Sequence, residues 1–389
     1  MGFKIGSRMI GDDNPVLIIA ELSANHLKDF DLAVETIKSM KESGADAVKF
    51  QTYTPDTITL DCNDDYFQIK QDTIWDGSTF YSLYEDAYMP WEWQPKLKRV
   101  AEDLGLIVFS SPFDKTSVDF LEDMDVPAYK IASFEITDIP LIEYVASKGK
   151  PVIISTGIAE LCDIELAVKA CKRMGNDQIA FLKCTSSYPA PFEEINLKVI
   201  PNLKESFNVV VGLSDHTLGN SVAVASIALG AGIIEKHFIL DRSRGGPDAD
   251  FSLEPTEFKV MVDSIREVEK ALGKVTYELT EKASSSKDFR RSLFVVEDVK
   301  AGEKFTLDNV KSIRPGFGLH PKYTEIIIGR TAKQDINRGT PFTWDLILKY
   351  NYFLIINIRL LSSFLLRNIL PINSISFRST PLRINKKNK

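Results

Sequence analysis

From Pro15 to Gly273, short runs of β-branched and apolar residues alternate with longer runs of helical periodicity. The candidate strands are PVLIIAEL, DAVKFQTY, GLIVFSSP, PAYKIASF, PVIISTG, IAFLKCTS, VVVGLSD and GIIEKHF. Between them lie helix patterns such as DLAVETIKSMKESG, WQPKLKRVAEDLG, TSVDFLEDM, LIEYVASKG and IELAVKACKRMG. Gly44, Gly105, Gly149 and Gly175 stand where helices of this kind stop. The strand runs are apolar on both faces, as buried parallel strands are. A strand–helix unit repeated roughly eight times predicts an α/β fold, a (β/α)8 TIM barrel rather than an open doubly wound sheet. An open sheet often carries a glycine fingerprint after its first strand, and this chain carries none there.

One long insertion, DCNDDYFQIKQDTIWDGSTFYSLYEDAYMPWEW, follows the second strand. It is aromatic and acidic, and its position predicts a loop over the barrel mouth that closes on or selects a substrate. The helix EFKVMVDSIREVEKALG ends the barrel, and a polar linker follows. Glycine turns and short β runs then predict a small β-rich domain. The expected boundaries are a barrel over 1–275, a linker over 276–289, the small domain over 290–347 and an atypical tail over 348–389. After Asp345 the chain has no acidic residue, and its apolar run NYFLIINIRLLSSFLLRNILP carries Arg359 and Arg367. A spanning helix needs ~20 residues with few charges, so the two arginines argue against a stable membrane span. The abrupt shift in composition reads as an appended tail or a basic amphipathic contact.

The formal net charge of −7 over 389 residues gives no argument for nucleic-acid binding. No basic-then-apolar leader opens the chain. Cys62, Cys162, Cys171 and Cys184 form no C-x-x-C pair, which predicts reduced thiols in a cytoplasmic protein.

In a barrel, polar residues at strand C-termini face the site. Here those ends hold Glu21, Lys49, Gln51, Ser110, Ser111, Lys130, Ser133, Glu135, Ser155, Lys183, Tyr188, Ser214, His216, Glu235, Lys236 and His237. A packed core would prefer Val, Ile or Leu at such places. His216 and His237 follow consecutive strands, with one helix-length segment between them. Two imidazoles at one rim can hold a divalent metal with open positions; the alternative is two unrelated polar residues. Lysines and serine hydroxyls converging there suit an anionic, phosphate-bearing ligand. Two carboxylates, Glu21 and Glu135, suit proton transfer. Strand alternation puts Glu235 and His237 on one face and Lys236 on the other, so Lys236 reads as structural. Lys130 and Ser133 have opposite parity, and both reach a ligand only if the strand ends or bulges between them. The loop DRSRGGPDADFSLEP offers Asp248 and Asp250 to the mouth, or is an ordinary turn with solvated acids.

Taken together, IIAELSANH, AVKFQTY, YKIASFEITDIPLI, ISTGIA, KCTSSYPAP, GLSDHTLG, EKHF and GGPDADFSLEP resemble the sialic acid synthase family. The resemblance extends essentially from Phe3 to Ile347, and SIRPGFGLHP and GRTAKQDINRGTPF resemble that family's antifreeze-like (SAF) domain. Within the family, TIWDGSTFYSLYEDAYMPWEWQPKLK and KCTSSYPAPFEE are most similar to the pseudaminic acid branch. The resemblance implies condensation of phosphoenolpyruvate with open-chain 2,4-diacetamido-2,4,6-trideoxy-L-altrose, with water consumed and phosphate released by C–O cleavage. It implies that His216 and His237 hold Mn²⁺ or a similar divalent ion (Mg²⁺, Co²⁺), which polarises the sugar aldehyde. Glu21 and Glu135 are the implied proton-handling or water-positioning groups. Lys49, Ser111, Lys130, Ser133, Ser155 and Ser214 would hold phosphoenolpyruvate, and Gln51, Glu135, Tyr188 and Asp248 the sugar. Arg314 would reach an acetamido group from the antifreeze-like domain of the other subunit in a domain-swapped homodimer. Ser111 stands where many members have Thr, which keeps the hydroxyl.

A 6-deoxy sugar favours an apolar wall, and Phe251 and the insertion aromatics Tyr66, Trp75, Tyr81 and Tyr84 are candidates for it. A pocket of that kind discriminates against an added hydroxyl only by ~10²-fold, so N-acetylneuraminate and legionaminic acid synthesis are the alternatives. Two readings of other classes are a Schiff-base aldolase using one of Lys49, Lys130, Lys183 or Lys236, and a non-catalytic protein that binds an acidic sugar.

Overall fold

The structure, a computed structural model, describes residues 2–11, 14–70 and 75–349. It divides into two compact units, Met1–Lys274 and the chain from Val275 onward. The tail beyond Lys349 lies outside the described residues, so the expectations for it have no structural counterpart.

The first unit opens with an antiparallel hairpin of β1 (Gly2–Ile5) and β2 (Arg8–Gly11). Eight parallel strands follow: β3 (Leu17–Glu21), β4 (Ala47–Thr52), β5 (Ile107–Pro112), β6 (Tyr129–Ile131), β7 (Val152–Ser155), β8 (Ile179–Cys184), β9 (Val210–Asp215) and β10 (Ile233–His237). They neighbour one another in chain order, and β10 pairs with β3 to close the barrel. The predicted (β/α)8 architecture is therefore the observed one. Each predicted strand run contains an observed strand, trimmed by a residue or more in most cases.

Local chemistry explains the helices between them. Asp29, Asp114 and Asp138 cap the helices Phe30–Glu42, Lys115–Asp123 and Ile139–Ala146 by accepting hydrogen bonds from first-turn amides. Each such cap contributes about 1 kcal/mol. The four glycines expected at helix ends all take positive φ there, between 72° and 92°. The barrel interior and the layer under the helices form one continuous apolar core that includes Ile18, Val48, Phe109, Ile153, Phe181 and Ile234. The hairpin adds Phe3, Ile5 and Ile10 to it. Gly11 approaches Gly232 and Gly6 approaches Pro127, residues that precede β10 and β6, so the hairpin lies against the strand starts. The hairpin precedes the alternation that starts at Pro15, and its four-residue strands give too few alternations to register in the sequence.

The second unit has β11 (Ser292–Val295) paired antiparallel with β12 (Val310–Ile313) and a series of isolated bridges. Its own core contains Leu293, Val295, Phe305, Val310, Ile327 and Phe342. A short helix, Glu281–Ser285, forms within the polar stretch expected as linker.

Candidate active site

Register and pleat bring the strand-end polar residues together. Glu21 pairs in register with both Lys49 and His237, so the three share one level of the barrel. Lys49 Nζ lies 2.9 Å from Glu21 Oε1 and 3.0 Å from Glu235 Oε1. Gln51 Nε2 donates to Glu21 Oε1 at 2.9 Å and to Ser23 Oγ at 3.0 Å. Glu21 Oε2 faces His237 Nε2 at 3.1 Å. Lys130 Nζ approaches Glu235 Oε1 at 3.2 Å, and Ser214 Oγ donates to the same oxygen at 3.1 Å. Glu21, Lys49, Lys130, Ser214 and Glu235 are all buried.

The parity conflict between Lys130 and Ser133 is resolved by the end of the strand. β6 stops at Ile131, and a 3-10 turn over Ser133–Glu135 re-aims the chain. Ser133 Oγ then accepts from the Ile158 amide at 3.1 Å and from Ser186 Oγ at 2.8 Å. A methyl group on Gly157 would stand 2.2 Å from Ser186 Oγ and 2.5 Å from Ser133 Oγ, so this close approach needs glycine.

Two hydroxyls, those of Ser111 and Ser155, are buried and make no hydrogen bond. An unsatisfied buried hydroxyl costs about 1–3 kcal/mol. With two buried ammonium groups in the same barrel, they offer the donors that a phosphate- or carboxylate-bearing ligand takes.

The charges are set by these neighbours. Burial opposes ionisation of Glu21, but His237 and Lys49 outweigh it and hold the carboxyl well below its ordinary range. Lys49 is pushed up despite burial by Glu21 and Glu235. Lys130 is lowered by burial and by Lys49, with Glu235 opposing. Glu135 behaves differently: burial pushes it up to about 7, and its Oε2 has no hydrogen-bond partner. The two predicted carboxylates are thus driven apart, one ionised and one able to carry a proton near neutral pH.

The imidazoles of His216 and His237 stand with ring centroids 5.4 Å apart. His216 Nδ1 donates to the Thr185 carbonyl at 3.0 Å, which leaves Nε2 as the lone-pair nitrogen. His237 is held through Nε2 by Glu21, and its buried Nδ1 has no hydrogen-bond partner. Metal-binding histidines characteristically have one nitrogen anchored and the other free, so this pair fits a divalent ion. Among the described residues no group of three or more His, Cys, Asp or Glu is arranged as a metal site, so water or substrate would complete the coordination.

An aromatic wall adjoins the histidines. Tyr188 lies 4.5 Å from His216 and 5.0 Å from Phe251, and Phe251 lies 4.8 Å from His237. Trp75 reaches this wall from the insertion, 5.5 Å from Tyr188, with its Nε1 donating to the Pro247 carbonyl at 3.0 Å. The other insertion candidates lie elsewhere: Tyr66 is exposed, Tyr81 bonds Asp56, and Tyr84 packs on Tyr53. Asp248 accepts from Ser23 Oγ and stands 3.9 Å from His237 Nδ1, whereas Asp250 is exposed. Lys183 bonds the Cys184 carbonyl and Thr185 Oγ1. Lys236 pairs with Asp215 on the outer face of the barrel. Arg314 belongs to the second unit, where it is exposed just after β12.

Ser23 and Ser186 were not among the predicted site residues; Glu235 was placed at a strand end without a role, and Trp75 was one of the candidates for the apolar wall, where it packs against Tyr188. The parity shared with His237 was the available signal for Glu235. Ser23 depends on a backbone turn with φ of 46° that no local pattern announces.

A closed parallel barrel with buried lysines, free hydroxyls and an anchored histidine pair at its strand ends belongs to an anion-handling barrel enzyme. Residues 36–277 match the model of the NeuB family, and residues 290–348 that of the SAF domain. The chain is 48% identical over 327 residues to the pseudaminic acid synthase of Campylobacter jejuni, covering 84% of this chain and 95% of that one. It is 45% identical over 332 residues to the pseudaminic acid synthase of Helicobacter pylori, covering 85% and 97%. Among solved structures, the N-acetylneuraminic acid synthetase of Leptospira borgpetersenii matches with a TM-score of 0.65 and 31% identity, covering 74% of this chain and 95% of that one. The chain belongs to the NeuB family and is a condensing synthase of the sialic acid synthase type.

Proposed function

We propose that the protein condenses phosphoenolpyruvate with 2,4-diacetamido-2,4,6-trideoxy-L-altrose to give pseudaminic acid and phosphate. The observation that carries the reaction class is the pair of unbonded buried hydroxyls, Ser111 and Ser155, at the ends of strands in the same barrel that carries two buried lysines and the histidine pair at its strand ends. The sugar is supported by the higher identity to pseudaminic acid synthases than to the neuraminic acid synthetase of known structure.

Lys49 and Lys130 neutralise the phosphate and carboxylate of phosphoenolpyruvate, and Ser111, Ser133, Ser155 and Ser214 supply directional hydrogen bonds. Gln51, Tyr188 and Asp248 align the sugar so that its aldehyde carbon meets C3 of the enol. A divalent ion, Mn²⁺ or a close relative, held by His216 and His237 would polarise the aldehyde as a Lewis acid. Carbon–carbon bond formation leaves C2 electron-poor. Glu135, protonated up to about pH 7, is suited to give its proton to the nascent alkoxide. Glu21, kept ionised by Lys49 and His237, orients the water that adds to C2 and accepts the proton it sheds. Collapse of that adduct breaks the C2–O bond and releases phosphate.

The family resemblance supports a homodimer in which Arg314 of the partner subunit contacts an acetamido group. The use of phosphoenolpyruvate supports a cytoplasmic setting. Among the described residues no helix is long and apolar enough to cross a membrane.

Phosphate release tests the proposal, with the diacetamido altrose, N-acetylmannosamine and the legionaminic precursor compared with and without Mn²⁺. Fastest turnover of the altrose, dependent on metal, is expected. Faster turnover of N-acetylmannosamine overturns the sugar assignment. Activity that survives a chelator together with borohydride trapping of a substrate adduct overturns the metal-assisted reaction in favour of a Schiff base.

A further inference from the structure

Asp215 and Lys236 form an ion pair at 2.8 Å whose two side chains are fully buried. The two residues are direct register partners on β9 and β10. Each immediately precedes one of the two histidines of the proposed metal site, Asp215 before His216 and Lys236 before His237. Alternation places the ion pair on the outer face of the barrel and the imidazoles on the inner face. Ser214 and Glu235, the preceding register pair, fix that parity by bonding to each other inside the barrel.

The pair also reaches past the strand end. Asp215 Oδ1 accepts from the Thr217 amide at 3.0 Å and from Thr217 Oγ1 at 2.8 Å, and Lys236 Nζ donates to the Thr217 carbonyl. The residues on both sides of His216 are therefore tied to β10, although the ladder between the strands stops at Asp215. His216 stands beyond the last backbone pair, where strand pairing no longer sets its distance from His237.

A buried ion pair contributes little net stability, because desolvation offsets the attraction, and apolar replacements of similar volume are often neutral. Its place directly behind the two histidines points instead to a geometric role. We propose that Asp215 and Lys236 are positioning residues: a clasp behind the barrel wall that sets the separation of His216 and His237, and so the affinity for a divalent cation. This rests on the reading of the two histidines as metal ligands.

The test is Mn²⁺ binding to the purified apo full-length protein, followed by the loss of the free-ion electron paramagnetic resonance signal and paired with thermal melts. The double variant Asp215→Leu/Lys236→Met, an apolar pair of comparable volume, is expected to fold with a melting temperature near that of wild type. Its Mn²⁺ affinity should be weaker by about tenfold or more, the range for loss of outer-sphere support. Asp215→Glu, which keeps the charge, should recover part of the affinity. Unchanged Mn²⁺ affinity in a folded double variant overturns the clasp. If the double variant fails to fold, Asp215→Asn decides in the same way. His216→Ala separates the two readings: should it bind Mn²⁺ as tightly as wild type, the metal assignment itself has failed, and the clasp with it.

Discussion

Glu235 holds Lys49 at 3.0 Å through a single carboxylate oxygen, and the same oxygen also receives Lys130 and Ser214. One buried anion therefore organises both cations of the proposed phosphoenolpyruvate pocket. Glu235→Gln keeps the shape and removes the charge, leaving Lys130 without its ion-pair partner and Lys49 with Glu21 alone. Breaking a buried pair of this kind costs about 3–5 kcal/mol. The variant should melt well below wild type, and millimolar phosphate should raise its melting temperature more than it raises that of wild type, because an added anion replaces the lost charge. Equal phosphate shifts in the two proteins would show that Glu235 is not the counter-charge of an anion pocket.

Glu135 carries the pH prediction. Burial raises its carboxyl to about 7, against an ordinary value of 4.5. The folded protein therefore holds an extra proton between those values, and it gives up stability as the pH rises through that window. Glu135→Gln, which cannot ionise, should be more stable than wild type at pH 8, by up to about 3 kcal/mol, and equal to it at pH 4. The same substitution should abolish the limb of kcat that falls with deprotonation near pH 7. Denaturant melts at the two pH values and a kcat–pH profile check both statements.

Gly157→Ala tests the seam between Ser133 and Ser186. The added methyl group meets both hydroxyls well inside contact distance. Either Ser133 withdraws from the Ile158 amide or the turn shifts. The KM for phosphoenolpyruvate should rise at least about tenfold, as expected when a charge-assisted contact is lost, while the sugar KM changes little. A sugar KM that rises in step would place this seam at a different subsite.

Trp75→Ala removes the part of the insertion that reaches the histidine wall. Its ring covers Tyr188, and its indole nitrogen ties the insertion to Pro247. The sugar KM should rise about tenfold, and the preference for the 6-deoxy sugar over N-acetylmannosamine should narrow, with the phosphoenolpyruvate KM unchanged. Steady-state kinetics with each substrate varied in turn will show whether the split occurs.

Much of this was open to a reading of residues alone, for identifiable reasons. Buried parallel strands are apolar on both faces, so their polar ends stand out; Lys49, Lys130, Ser214 and His237 were visible because a core has no other use for them. Period-two parity separated Glu235 from Lys236 without coordinates. The same arithmetic set Lys130 and Ser133 in conflict unless the strand ended or bulged between them, and β6 does stop at Ile131, two residues before Ser133. No local period could rank the insertion aromatics: of the four named, Trp75 packs against Tyr188, while Tyr66 is exposed and Tyr84 packs on Tyr53.

The sequence by itself determined the barrel, because repeated apolar strands separated by amphipathic helices bury their surfaces in few other ways. It also determined which chemistry-bearing residues lie at the strand ends. Tertiary structure alone decided their states. Glu21 ends β3 and Glu135 lies in the turn after β6; they are the same kind of side chain, yet one is held ionised by Lys49 and His237 while the other is driven by burial towards carrying a proton. That difference depends on distances between residues far apart in the chain, and electrostatic interaction in a buried pocket is set by those distances and by the exclusion of water.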